Sequence, residues 1–343
     1  MIKYALIGMG RVSPNHLYAA KALENDLKIA AVCDIDPGTM DKTEYNKYTD
    51  YRKMILDEKL DLVAIATDSG SHAEIAMFAL QNGANVIIEK PIALSMSDAD
   101  NLIKTAEKYN RVLAVNHQNR FNKSIQKLRE AFDAGRFGKV SHIAAHVRWY
   151  RDMGYYLSAS WRGKWATDGG CLMNQCIHNA DLLYWFIGDI DEVFAYTTNA
   201  HHPDIEVEDI GAALVKGKNG AIGLFEGTVN IFPADLEETL YIFGDKGTAK
   251  VGGSSLNIIE EWQFKDNSDD FKGFGEDHSN VYGHGHLPFY ADVVQAIKTN
   301  SKPLIDGYEG KRALEIILAM YKSKKTGLPV KLPLADFASI DMI

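Results

Sequence analysis

Cysteine is scarce: Cys33, Cys171 and Cys176 are the only three in 343 residues. An odd number without a framework spacing excludes a disulfide-stapled scaffold and points to a reducing compartment. Long apolar runs are missing too. No stretch approaches the ~18 residues that a membrane-spanning helix needs, so no membrane partner is expected. The opening MIKYALIG reads as a strand running into a turn rather than as a signal peptide, and the cytoplasm is the expected location. An excess of cations is also lacking, since 37 Lys and Arg face 46 Asp and Glu for a formal net charge of −9. Nucleic acid is therefore not expected as a partner, because a phosphate backbone selects basic surfaces. A small anionic ligand held by a few local cations remains open. Internal repeats and low-complexity linkers are absent.

What is present is an ordinary soluble composition, 46% hydrophobic and 24% charged, in a chain long enough for two cores of roughly 100–200 residues each. Ile2–Ile7 is an apolar strand that runs into Gly8-Met9-Gly10-Arg11-Val12-Ser13, with Pro14, Asn15 and His16 heading an Ala/Leu-rich helix. This is G-x-G-x-x-G with serine at the third place. The first glycine permits a tight turn, and the second lets a pyrophosphate approach the unpaired N–H groups of the helix start. A second strand, Lys28–Cys33, ends in Asp34, at the distance expected of a carboxylate that binds ribose hydroxyls and repels a 2′-phosphate. The pattern predicts NAD rather than NADP, with Gly8, Gly10, Arg11, Val12 and Asp34 holding it.

Strands and helices go on alternating: Leu60–Ala66, Ser71–Gln81, Asn85–Glu89, Ser97–Tyr109 and Val112–Asn116. Such spacing predicts a doubly wound parallel sheet. Ligands bind such sheets at strand ends, which singles out Thr67 to His72 and Glu89-Lys90-Pro91. A lysine where a buried strand stops, locked by proline, is hard to read as a surface charge; a simple pair with Glu89 is the plainer alternative. After Phe121 the pattern changes to a helix at Ser124–Ala134 followed by strand-like segments from Lys139–Trp149 to Ala249–Val251. Turn residues such as Lys218-Asn219-Gly220 separate them in hairpin fashion. The fold class expected is α/β: an N-terminal doubly wound parallel (Rossmann) sheet, residues 1–120, and a C-terminal α/β domain with a large, mainly antiparallel sheet, residues 121–343.

Within the second part, Asp168–Asp181 (DGGCLMNQCIHNAD) reads as one helix with Asn174, His178 and Asp181 on one side at i, i+4 and i+7. Taken alone, His178 could equally be a core histidine bonded to Asp181. Upstream, the segment from Arg148 to Tyr156 and the run Ser160-Trp161-Arg162-Gly163-Lys164-Trp165 concentrate cations and aromatics in an acidic protein. Arginine forks match phosphates and carboxylates, and flat rings cover bases or sugars; an edge strand with interface aromatics is the competing reading. His284-Gly285-His286 lacks a third ligand at a sensible spacing, so no metal is expected. His201-His202 reads as a loop.

Taken in order, GMGRVSPNH, Asp34, Glu89-Lys90-Pro91, Asn116-His117-Gln118-Asn119-Arg120-Phe121 and the later GG-x-L-x-N-x-x-x-H-x-x-D resemble the glucose-fructose oxidoreductase / inositol dehydrogenase (Gfo/Idh/MocA) family over nearly the whole chain. Within it, YY…SWRG-x-W-x-x-DGG…MNQ-x-IH is similar to the branch of UDP-N-acetylglucosaminuronate 3-dehydrogenases of surface-polysaccharide sugar synthesis. Many members carry aspartate where this chain has Asn174, which can orient but not act as a base. The resemblance implies an NAD-dependent enzyme that oxidises a sugar secondary hydroxyl. Other sugar or inositol dehydrogenases, and redox-neutral NAD-dependent glycosidases, are the alternatives within the family; a non-catalytic NAD(H) sensor is the alternative outside enzymes. It further implies Lys90 and His178 as catalytic residues, with Thr67, His72, Glu89 and Gln118 joining Lys90 at the cofactor. Arg120, Tyr155, Tyr156, Arg162, Asn174 and His286 are implied at the substrate, and the open sheet face in a homo-oligomer, dimer or tetramer. An imidazole titrating near pH ~6.5 accepts a proton at neutral pH, and an ammonium beside the same oxygen stabilises developing alkoxide charge.

Overall fold

The computed structural model describes residues 1–277 and 283–343, and the chain forms two compact units. The first unit is built on six parallel strands, β1 (Ile2–Ile7), β2 (Leu27–Cys33), β3 (Asn46–Tyr48), β4 (Leu62–Ile65), β5 (Asn85–Glu89) and β6 (Leu113–Asn116). Their order in the sheet is β3-β2-β1-β4-β5-β6, which reverses direction between β1 and β4 and so creates the switch point at which such sheets bind nucleotides. β4 and β5 are buried along their whole lengths. A parallel sheet covered on both faces requires this, and it explains the uninterrupted apolar runs in the sequence. Four helices alternate with the strands: α1 (Ser13–Ala22), α2 (Tyr51–Glu58), α3 (His72–Gln81) and α4 (Met96–Lys108). Side-chain caps start two of them. Asp50 accepts from the Arg52 N–H (2.8 Å) and Ser95 from the Asp98 N–H (3.0 Å), each satisfying a donor the helix cannot.

In the second unit come α5 (Lys123–Asp133), β7 (Val140–Arg148), α6 (Met153–Leu157), α7 (Cys171–Asn174) and α8 (Ile177–Ile187). There follow β8 (Ile190–Thr198), β9 (Ile210–Gly217), β10 (Ile222–Thr228), β11 (Glu237–Gly244), β12 (Gly247–Gly252) and β13 (Ile258–Phe264). The chain then returns to the first unit with α9 (His286–Thr299), and α10 (Gly307–Thr326) leads back to the second, which β14 (Val330–Lys331) completes. The eight-stranded sheet has the order β13-β12-β11-β7-β10-β9-β8-β14 and is antiparallel except for the β7–β10 pair. Along β9 buried and exposed residues alternate, so one face is covered and the other is open. α7 and α8 lie on the covered face, where β10 makes room with glycine: a Cβ on Gly227 would come within 2.7 Å of the Cys176 sulfur.

The units therefore differ from a simple division into 1–120 and 121–343, since residues 286–311 belong with the first. The reason is packing. α9 lies against α1, and the Tyr290 hydroxyl is bonded to both Tyr4 (2.9 Å) and His16 (2.6 Å), so this late segment fills a core that the first 117 residues leave open. No helix among the described residues is long and apolar enough to cross a membrane.

Candidate active site

At the end of β1, Gly8 has φ +93°, and a Cβ there would run into the Ala66 carbonyl; only glycine lets β1 turn this closely against the end of β4. Gly10 faces open space, and a Cβ there would meet nothing within 4 Å. Arg11 is exposed and Val12 half-buried at the N-cap of α1. Asp34, just past β2, accepts from the Met9 N–H (2.7 Å) and the Asp36 N–H (2.9 Å). These bonds fix a half-exposed carboxylate beside the glycine turn while leaving acceptor capacity on its oxygens. An open glycine turn at a helix start next to a fixed carboxylate fits a dinucleotide's pyrophosphate and ribose.

At the end of β5 the structure redistributes the expected roles. Lys90 is half-buried, whereas Glu89 points into the interior, where its Oε1 accepts from Asn116 Nδ2 and His16 Nε2 (3.0 Å) with His286 Nε2 at 3.7 Å. Burial alone would raise the Glu89 carboxyl, but hydrogen bonds and charge from His16 and His286 hold it well below the usual range. Glu89 is thus buried and bonded within the first unit. His286 belongs to this cluster in the first unit, one residue from Lys90 in its contact with Glu89. His16, Glu89 and His286 have spacings that could hold a metal ion, a grouping that the His284-His286 pair does not reveal; here His16 bonds Glu89 directly and His286 lies 3.7 Å from it. His72 opens α3. It is 1% exposed, with Nδ1 at 2.8 Å from the Pro91 carbonyl and Nε2 at 3.3 Å from that of Thr67. Burial lowers its pKa, so the neutral ring has one proton, which belongs on the shorter contact. It ties the loop after β4 to the turn that carries Lys90. Thr67 is half-buried and its Oγ1 accepts from Ser71 Oγ (2.8 Å).

In the second unit the expected single helix is broken. The Cys176 N–H reaches back five residues to the Cys171 carbonyl (3.1 Å), and the Asn179 N–H reaches only three, to Cys176 (3.0 Å). This local unwinding and tightening separates α7 from α8, an irregularity frequent at functional sites. A continuous helix does not run from Asn174 to His178. Asn174 ends α7 and donates through Nδ2 to Asp168, whose other oxygen accepts from the Gly163 N–H (2.7 Å). His178 lies in the first turn of α8 and is 7% exposed. Asp181 pairs with Arg120: Nε and Nη2 donate to its two oxygens at 2.8 and 2.6 Å, and both side chains are 1% exposed. Burial holds the Asp181 carboxyl above its usual range even so. Arg120 is thus held in a buried ion pair within the second unit. Gln118, in the same turn, is buried with its amide directed at Asn119 (3.3 Å).

Arg162 and Tyr155 do come together. The guanidinium lies over the Tyr155 ring at 4.1 Å and donates to the phenol oxygen, to which Gln175 Nε2 also donates (2.7 Å). Tyr156 is buried, edge-on to His202 at 5.0 Å. His202 lies in a loop as expected, and its ring joins Asp209 (2.9 Å) and the Arg151 carbonyl (2.8 Å). Beneath the Gly169-Gly170 turn, Glu208 accepts from the Leu172 N–H and the Tyr321 hydroxyl, both at 2.8 Å. Burial pushes its carboxyl up to about 8. Gly170, at φ +97°, has no Cβ because the Glu208 carboxylate fills that space. Asp168 and Gln175, for which no separate role is expected, bond directly to Asn174 and Tyr155 of the candidate site. Their signal is polarity in an apolar stretch, on sides that helical periodicity does not explain.

Comparison with known proteins agrees with this architecture. The model of the oxidoreductase family with NAD-binding Rossmann fold (GFO/IDH/MocA) matches residues 2–117, and the GFO/IDH/MocA C-terminal domain matches residues 125–250. The WlbA dehydrogenase from Bordetella pertussis, solved in complex with NADH and UDP-GlcNAcA, is 33% identical with a TM-score of 0.88 over 97% of this chain and 99% of that one. The WlbA dehydrogenase from Chromobacterium violaceum, in the same complex, is 35% identical with a TM-score of 0.88 over 97% and 96%. Among curated proteins, the myo-inositol 2-dehydrogenase of Thermotoga maritima is 24% identical over 96% of this chain and 98% of its own length.

Proposed function

This chain belongs to the GFO/IDH/MocA family and is an NAD-binding oxidoreductase, and from that premise we propose that it oxidises a secondary hydroxyl of a sugar nucleotide. The preferred substrate is a UDP-N-acetylglucosaminuronic acid, oxidised at its 3-hydroxyl. The observation that carries this reading is the cationic, aromatic segment around Tyr155 and Arg162, joined by hydrogen bonds to the α7–α8 break that precedes His178. Likeness to dehydrogenases solved with UDP-GlcNAcA supports it. The inositol dehydrogenases among the relatives favour an inositol or other sugar as the second reading.

Bound NAD supplies the hydride acceptor. The residues of the chain handle the proton and the charge. His178 takes the hydroxyl proton, and Lys90 donates a hydrogen bond to the same oxygen and stabilises the negative charge that develops on it. His72 holds the Lys90 turn through Pro91, and Asp168 holds Asn174. Asn174 orients the sugar. The open face of the eight-stranded sheet exposes Tyr196, Leu214, Ile222 and Leu224, an apolar patch suited to a second copy of the chain.

The test is a panel of UDP-sugars, inositols and free sugars followed by NADH absorbance. Steady NADH formation with UDP-uronates, lost by about a hundredfold or more in Lys90→Met and His178→Gln, is the expected outcome. Reaction of inositols but no UDP-uronate would transfer the assignment to the second reading, and sugar release without NADH would make the enzyme a redox-neutral glycosidase. Light scattering after size exclusion reads the oligomer, dimer or tetramer.

A further inference from the structure

Arg162 is set apart from the other arginines of its unit. Each of the other six, from Arg120 to Arg312, has an Asp or Glu partner, whereas Arg162 pairs with no carboxylate among the described residues. In a chain of net charge −9, a half-buried guanidinium left to aromatic neighbours is unusual. Its charge lies between the Tyr155 and Trp161 rings, at 4.1 and 4.4 Å. Arginine stacked on rings in this way keeps its N–H groups directed outward in the ring plane.

The arrangement of donors around Tyr155 is directional. A phenol oxygen offers two lone pairs and one proton. Arg162 and Gln175 donate to the lone pairs, which leaves the O–H to donate elsewhere. Burial holds this phenol above its usual range, so it keeps that proton. Two more polar atoms at the cluster are buried without a hydrogen-bond partner, the Arg162 Nε–H and the Gln175 Oε1, and Gln175 is only 6% exposed. Leaving such atoms unmet costs about 1–3 kcal/mol each, so a ligand that meets them gains that much.

We propose that Tyr155, Arg162 and Gln175 form an oxyanion subsite, with Tyr155 and Arg162 as its donors and Gln175 as the positioning residue that makes Tyr155 a donor. The Gln175 carbonyl is left to accept from a hydroxyl next to the oxyanion. The ligand class is therefore a hydroxylated oxyanion, as in a uronic acid carboxylate or a sugar phosphate. The inference rests on the nucleotide-sugar reading for the source of that oxyanion. Gln175 follows Asn174 directly, so the break between α7 and α8 holds both ends of the cationic segment, Asn174 through Asp168 and Gln175 through Tyr155.

The experiment is calorimetric titration of the NADH-loaded enzyme with UDP-GlcNAcA, UDP-GlcNAc and UDP, using Tyr155→Phe, Gln175→Leu and the double variant. Each single change is expected to weaken UDP-GlcNAcA binding about tenfold, and the double change no further than the weaker single, because Gln175 acts through Tyr155. Gln175→Glu, which would accept the phenol proton instead of donating, weakens it more than Gln175→Leu. NADH affinity and melting temperature hold steady throughout, as a merely structural role would not allow. If the oxyanion is the carboxylate, UDP-GlcNAc and UDP are insensitive to the variants; if it is the diphosphate, all three ligands lose alike. Unchanged UDP-GlcNAcA affinity in Tyr155→Phe, or multiplicative losses in the double variant, overturns the subsite and leaves the substrate reading standing. If wild type binds none of the three, D-glucuronate and inorganic phosphate serve as probes: Tyr155-dependent binding of either keeps the subsite and rejects the nucleotide sugar, and binding of neither rejects both.

Discussion

Replacing Asp181 with Asn separates a scaffold role for Arg120 from a substrate-binding one. The pair is 1% exposed on each side and joined by two charge-assisted bonds of 2.8 and 2.6 Å, with Arg120 also 4.9 Å over the Trp185 ring. Two unit charges about 4 Å apart attract by about 4 kcal/mol at an effective dielectric of about 20. Removing one partner leaves the other buried and uncompensated, a loss of about 3–5 kcal/mol. Replacing both, as Arg120→Met with Asp181→Leu, removes the desolvation penalty together with the attraction and is expected to come near neutrality. Urea unfolding followed by tryptophan fluorescence measures wild type, Asp181→Asn and the double variant. The expected pattern is a large drop for Asp181→Asn, recovery in the double variant, and a substrate KM in the double variant within a few-fold of wild type. Should Asp181→Asn unfold within about 1 kcal/mol of wild type, or the well-folded double variant lose substrate affinity by more than about tenfold, Arg120 is not an internal brace.

Asp34→Ala should weaken NAD binding by about tenfold, the worth of one good hydrogen-bonding group, and narrow the preference over NADP, as read by nicotinamide fluorescence titration. Glu208 gives a pH-dependent stability. Its folded-state carboxyl is raised from 4.5 to about 8, so between those values the folded protein holds a proton that the unfolded chain has released, and stability falls as pH rises through that window. The full effect is on the order of 5 kcal/mol; Glu238, likewise raised to about 8 by burial, adds to the slope. Glu208→Gln should flatten the wild-type decline in urea midpoint by about half and be the more stable form in mild alkali; an unchanged slope counts against a buried acid at this position. Asn174→Asp would set a second carboxyl against Asp168, and since neighbouring carboxylates resist joint ionisation, substrate KM should rise more at alkaline than at mildly acidic pH.

The first sheet is legible in the sequence almost residue by residue, because buried parallel strands appear as apolar runs between helices of matching length; β1 and β5 fall where the pattern places them. The short β3 and α2 leave no such trace. Asn46–Tyr48 is mostly exposed, and a three-residue edge strand has no periodicity to read. β13 escapes for a related reason: Ile258–Phe264 carries Glu260, Glu261 and Gln263 between its buried residues, and polar alternation in a short run looks like a loop. Motifs mark Glu89, His72 and Arg120 as important, but not the direction in which each side chain points. Motif position specifies a place on the backbone, and whether a side chain faces a ligand or the core depends on residues distant in sequence: His16 for Glu89, Pro91 for His72, Asp181 for Arg120.

Consecutive residues are enough to specify the chemistry available to this protein: a glycine turn and Asp34 for a dinucleotide, Lys90 at a strand end, and His178 near a glycine pair. Local constraints of turn, strand length and charge decide these. Which groups are committed to one another is settled instead by the fold. At the α7–α8 break Asn174 bonds Asp168 and Gln175 bonds Tyr155. Return of α9 to the first unit surrounds Glu89 with His16 and His286. Buried polar groups must find partners wherever the fold brings them, and those partners lie tens to hundreds of residues away.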